Sequence, residues 1–158
     1  MFLFLISGSF SALFAVVAEL ALFSFLSPTG TGIDPWNIGA METSFLMIVT
    51  TFVFVALIEE SLKMLVLTKQ TRHTGGSVFP IPAVLFGLGF ALTEGALAFI
   101  SNGNIPIPLP AITGMLVLHI VTSILYFTAI PVGKNRMKLM LLVGICIHLI
   151  YNIFLALA

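Results

Sequence analysis

Five long apolar runs, at 2–26, 42–68, 80–100, 110–131 and 138–158, take up nearly the whole chain and restrict the solvent in which it can fold. A helix needs about 20 mostly apolar residues to cross the hydrocarbon of a bilayer, and each run is long enough. With 59% apolar and 8% charged residues, the 158-residue chain has too little polar surface to coat a water-soluble globule. The prolines (Pro28, Pro35, Pro80, Pro82, Pro106, Pro108, Pro110 and Pro131) lie between runs or at their ends, where a missing N–H does not interrupt a helix. Transmembrane β-strands would alternate with period two over about 10 residues, and runs such as FLMIVTTFVFVALI do not alternate. The sequence therefore predicts an all-α membrane protein: a single integral membrane domain over 1–158, built as a bundle of about five transmembrane helices.

Charge narrows the function classes. Six basic and six acidic side chains cancel, and the basic ones are too scattered to form a phosphate-binding face, which excludes nucleic acid as a partner. A single cysteine, Cys146, excludes an intrachain disulfide and any cysteine-type zinc motif; it reads as a small core residue rather than a nucleophile. The first run lacks a basic leader and exceeds the apolar length of a signal peptide, so it is expected to be retained. Lys69 and Arg72 follow the second run, Lys134, Arg136 and Lys138 separate the fourth from the fifth, and 27–41 and 101–109 hold no basic residue. The positive-inside rule then predicts a multi-pass protein of the cell membrane with a cytoplasmic N-terminus, an outer C-terminus and Trp36 as an outer interface anchor. Ala83, Gly87, Ala91 and Gly95 recur every four residues and predict a close-packing seam. No internal repeat or low-complexity tract is visible.

Against this apolar background, Glu19, Glu59, Glu60, Lys63, Glu94, His119 and His148 all fall inside the runs. A charge near the bilayer centre costs about 2.5–3.5 kcal/mol on insertion scales, so a purely structural bundle has little reason to carry several. At a rise of about 1.5 Å per residue, Glu59, Glu94, His119, His148 and Asn152 lie about 15–21 Å from the cytoplasmic ends of their helices, so four helices deliver polar groups to one layer. In ALIEESLK, Glu59 and Glu60 point about 100° apart, so one can face a cavity while the other meets Lys63. Lys63 is expected to support the site by neutralising a glutamate or by snorkelling toward the cytoplasmic face. His148 and Asn152 lie one turn apart on the same face and form a candidate pair of oxyanion donors. Glu19 is given no role, and Tyr126 and Tyr151 read as packing or interface residues.

The set Glu59-Glu60-x-x-Lys63, Phe90-x-x-x-Glu94, His119 and His148-x-x-x-Asn152, in this order on successive helices, resembles the PrsW-type branch of the CAAX-protease and bacteriocin-processing (Abi) intramembrane peptidases. The resemblance covers the second to fifth runs. Related CAAX prenyl endopeptidases carry a pattern similar to F-x-x-x-H at the second motif; Glu94 there fits the PrsW-type branch. The resemblance implies an intramembrane endopeptidase, a hydrolase acting on a membrane-embedded or membrane-proximal protein substrate. Glu59 is the expected general base on water, with Glu60, Glu94 and His119 beside it and His148 with Asn152 on the oxyanion. The expectation is a cofactor-free enzyme. A zinc-dependent version is the alternative, although H-E-x-x-H is absent. A non-catalytic membrane scaffold and a proton-coupled transporter are the readings from other classes.

Overall fold

A computed structural model of the protein describes residues 1–26, 45–73, 80–101 and 108–157. They form five helices, α1 (Phe2–Leu26), α2 (Phe45–His73), α3 (Ile81–Ser101), α4 (Leu109–Ala129) and α5 (Lys134–Leu157), and no strand is present among them. Four of these, α1, α3, α4 and α5, are long and apolar enough to cross a membrane, so the chain is a membrane-embedded, multi-pass helical protein. The sequence expects five such spans. The remaining helix, α2, is 29 residues long, but Glu59, Glu60 and Lys63 within it and Lys69 and Arg72 near its end dilute its apolar character. Trp36 lies outside the described residues.

Several helix ends differ from expectation. Lys69 and Arg72 belong to the last turns of α2, and Lys134, Arg136 and Lys138 to the first turns of α5, so neither basic group is a free loop. The α4–α5 connection is correspondingly tight. Amide groups of Ile130, Val132 and Gly133 bond back to Tyr126 and Ala129 carbonyls at 3.1–3.3 Å, and Gly133 turns the chain with φ of 119°, a conformation that favours glycine.

Small residues set how closely the helices approach. A Cβ added to Gly8 would strike the Phe86 carbonyl oxygen, and one added to Gly89 would strike that of Leu5, so α1 and α3 cross backbone to backbone. Gly87 lies against the backbone of His119 and Ile120, and Gly95 against Met115, so the four-residue seam of α3 is its contact with α4. Glycine at these positions lets three main chains come close enough for short polar side chains to meet. Going round the bundle, α1 touches α3, α3 touches α4, α4 touches α5, α5 touches α2 and α2 returns to α1; α2 and α4 also meet across the middle. That central contact divides the ring into a four-helix compartment (α1, α2, α3, α4) and a three-helix one (α2, α4, α5).

Candidate functional site

The site is assembled around Lys63. Three and four residues after the two glutamates, it sits on the inward face of α2 and is fully buried, so it does not snorkel toward a headgroup. Its ammonium donates to Glu60 Oε1 at 2.6 Å and to His119 Nδ1 at 2.5 Å, and lies 4.4 Å from the centre of the Phe90 ring. Phe90 also packs against the His119 ring, with centroids 4.8 Å apart. Phe90 and Glu94 are one turn apart on α3, so the same face supplies an aromatic floor and a carboxylate.

Glu60 is saturated. Besides Lys63, its Oε1 lies 2.8 Å from His148 Nδ1 of α5, and its Oε2 accepts a hydrogen bond from the Tyr126 hydroxyl of α4 at 2.6 Å. Gly144, one turn before His148, makes room for this: a Cβ there would collide with the Tyr126 oxygen and come within 3.3 Å of Glu60 Oε2. The three-helix compartment is thus locked by one carboxylate that has three donors. Charge-assisted bonds of this kind are the strong ones in a low dielectric.

The four-helix compartment is organised differently. His119 pairs through Nε2 with Glu94. An imidazole that accepts from Lys63 at Nδ1 carries its own proton on Nε2, the nitrogen that lies against the Glu94 carboxylate. Glu59 is 3% exposed, yet its Oε2 has no hydrogen-bond partner among the described residues; its nearest cationic contacts, Lys63 Nζ and His148 Nδ1, are both 3.9 Å away. The His119 and His148 rings meet edge to face with centroids 5.7 Å apart, so the two compartments adjoin at this layer. Glu94 is the most open of the site carboxylates, with a side chain 19% exposed.

The structure brings Glu59, Glu60, Lys63, Glu94, His119 and His148 together. Asn152 is half-buried one turn beyond His148, and its side chain has no hydrogen bond to a described residue. Sequence reasoning missed Tyr126 and Gly144. The signal for Tyr126 was present: His119, Thr122, Ser123 and Tyr126 fall at i, i+3, i+4 and i+7 of α4, and all four are buried. Tyr151 does pack, donating to the Ala111 carbonyl at 2.7 Å with its ring against Gly114. Cys146 is exposed on the outer face of α5, not in the core, because it is two residues, about 200°, from His148.

Donor atoms of Glu59, Glu94 and His119 lie within 4.8 Å of one another, and among the described residues these three form the group that could hold a metal ion. Comparison with protein-family models, with curated proteins and with solved structures finds no match to this chain.

Proposed function

We propose that the protein is an intramembrane endopeptidase of the PrsW-like type, in which Glu59 activates a water against a peptide carbonyl. The observation that carries this reading is a contrast between neighbours: Glu60 is bonded by three donors, whereas buried Glu59 keeps an oxygen with no hydrogen-bond partner among the described residues. Burying an unsatisfied carboxylate oxygen is costly, and such groups persist where they serve chemistry. Glu59 takes a proton from the water as its oxygen attacks the carbonyl carbon. The tetrahedral oxyanion then collapses, the C–N bond breaks, and the proton passes from Glu59 to the departing amine. Lys63 and the oriented His119–Glu94 pair supply fixed polarity beside this water. His148 acts as an imidazolium, which donates from Nδ1 to Glu60 and from Nε2 to the oxyanion, with the Asn152 amide one turn away as the second donor.

The mechanism is metal-free because a buried carboxylate can activate the water as a base without a Lewis acid; in the zinc-dependent alternative, Glu59, Glu94 and His119 are the residues that would hold the ion. The cytoplasmic N-terminus, outer C-terminus and cell-membrane location follow from the basic residues at the α2 and α4–α5 ends and belong to the same proposal.

The deciding experiment compares membrane-protein fragments in cells carrying the wild type or Glu59→Gln, which keeps the shape and removes the base. Fragments present only with the wild type are expected; identical fragment sets would refute the assignment. Purified protein is expected to hold no stoichiometric zinc, and its cleavage activity to survive chelation.

A further inference from the structure

One ionisable residue of the four-helix compartment is left unused by the mechanism above. Glu19 lies on α1, whose buried positions Phe4, Gly8, Ser11, Ala12, Ala15, Glu19 and Phe23 form one continuous stripe at helical spacing. The stripe is the face that α1 presses onto the bundle, pinned at the Gly8–Gly89 crossing and by the Ser9 hydroxyl, which donates to the Gly89 carbonyl at 3.2 Å. Beyond that crossing the stripe continues to Glu19, and α1 packs against both α3, which carries Glu94, and α2, which carries Glu59 and Lys63. Each of the four helices of the compartment therefore carries at least one ionisable group: Glu19, Glu59 with Lys63, Glu94 and His119.

Glu19 is only 4% exposed, and its Oε1 has no hydrogen-bond partner among the described residues. The single nearby ammonium, Lys63, is already bonded to Glu60 and His119. Glu59 likewise has a buried oxygen without a partner. Among the described residues, Glu19 on α1 and Glu59 on α2 thus each keep a buried carboxylate oxygen without a partner, in the compartment that also holds Glu94, the carboxylate that is partly open.

From this we infer that the Glu19 side of the compartment is a subsite for a cationic group on the substrate, a lysine side chain or a free amine, and that Glu19 selects for it. The inference rests on the peptidase reading only in taking the ligand to be a protein segment. An incoming ammonium supplies the missing donors to Glu19, and its charge offsets the excess of carboxylates. A neutral side chain of the same length leaves those oxygens unbonded, and sites built around buried polar groups discriminate strongly on that basis. Glu19 acts here as a specificity residue, on a different helix from the water-activating Glu59.

The test is a binding measurement that does not require cleavage. The full-length protein, in lipid nanodiscs, is titrated with a hydrophobic transmembrane peptide carrying one central lysine and with the same peptide carrying norleucine there. Wild type is expected to bind the lysine peptide about 10- to 100-fold more tightly, the range for a hydrogen bond to a charged group. Glu19→Gln is expected to abolish that preference while leaving norleucine-peptide binding unchanged, and to raise the melting temperature of the empty protein. A merely structural Glu19 would not produce this combination. No preference in the wild type, or a preference that survives in Glu19→Gln, overturns the inference. A preference seen without cleavage of either peptide leaves the subsite standing and counts against the peptidase reading alone.

Discussion

Glu59 and Glu60 are adjacent in sequence and opposite in circumstance, and their difference gives the most direct test of which residues do chemistry and which hold the bundle. Glu60→Gln removes the carboxylate that Lys63, His148 and Tyr126 share, leaving the buried ammonium with Glu59, 3.9 Å away, in place of its bonded counter-charge. A loss of about 3–5 kcal/mol is expected, read as a lower unfolding midpoint in detergent or nanodiscs. Glu59→Gln removes a carboxylate whose nearest cations are 3.9 Å away and whose Oε2 is hydrogen-bonded to no described residue, so its stability is expected to equal or exceed that of the wild type while cleavage is lost. Tyr126→Phe forfeits one hydrogen bond to a charged acceptor, about 1.5–3 kcal/mol by the same measurement. Much of this layer was legible, since Glu59, Glu60 and Lys63 at three- and four-residue spacing restrict who can pair with whom. Tyr126 was not picked out because its partner is 66 positions away on another helix, and a lone tyrosine in a span is ordinarily packing. Glu19 was visible as an anomaly, but its direction depends on how α1 is rotated against α3, which no property of α1 alone specifies.

At the level of helices, glycines decide which backbones come close and therefore which polar groups meet. Gly144→Ala would press a methyl group into the Tyr126 hydroxyl and displace it from Glu60. A loss of about 1–3 kcal/mol is expected from overpacking. Combining Gly144→Ala with Tyr126→Phe is expected to cost less than the sum of the two singles, because the second change removes the atom that the first one strikes. The seam of Ala83, Gly87, Ala91 and Gly95 was readable from its four-residue period, although the period does not say that α4 is the helix it receives. Gly8 and Gly89 escaped notice because neither belongs to the four-residue seam, and only the crossing of α1 with α3 makes them a pair. Helix ends were misjudged where charge was taken as a sign of loop: the helical backbone bonds of α2 and α5 continue past the point where hydropathy falls.

For the molecule as a whole, the contact between α2 and α4 separates a braced three-helix half from a four-helix half that keeps unbonded carboxylate oxygens. Apolar patterning was enough to read the helical class and the membrane setting, but not this partition, which depends on the circular order of helices. The proposed topology is checked by introducing single cysteines near Arg72 and Arg136 in a Cys146→Ser background. Membrane-impermeant thiol reagents are expected to label both positions only after the cytoplasmic side is opened. The partition also bears on biogenesis. Lys63 and both adjacent glutamates belong to α2, yet the histidines and the tyrosine that accept or neutralise them arrive with α4 and α5, at positions 119, 126 and 148. A ribosome delivers α2 long before those partners exist, so this helix has to wait at the translocon or the lipid surface until the last hairpin emerges and draws it inward.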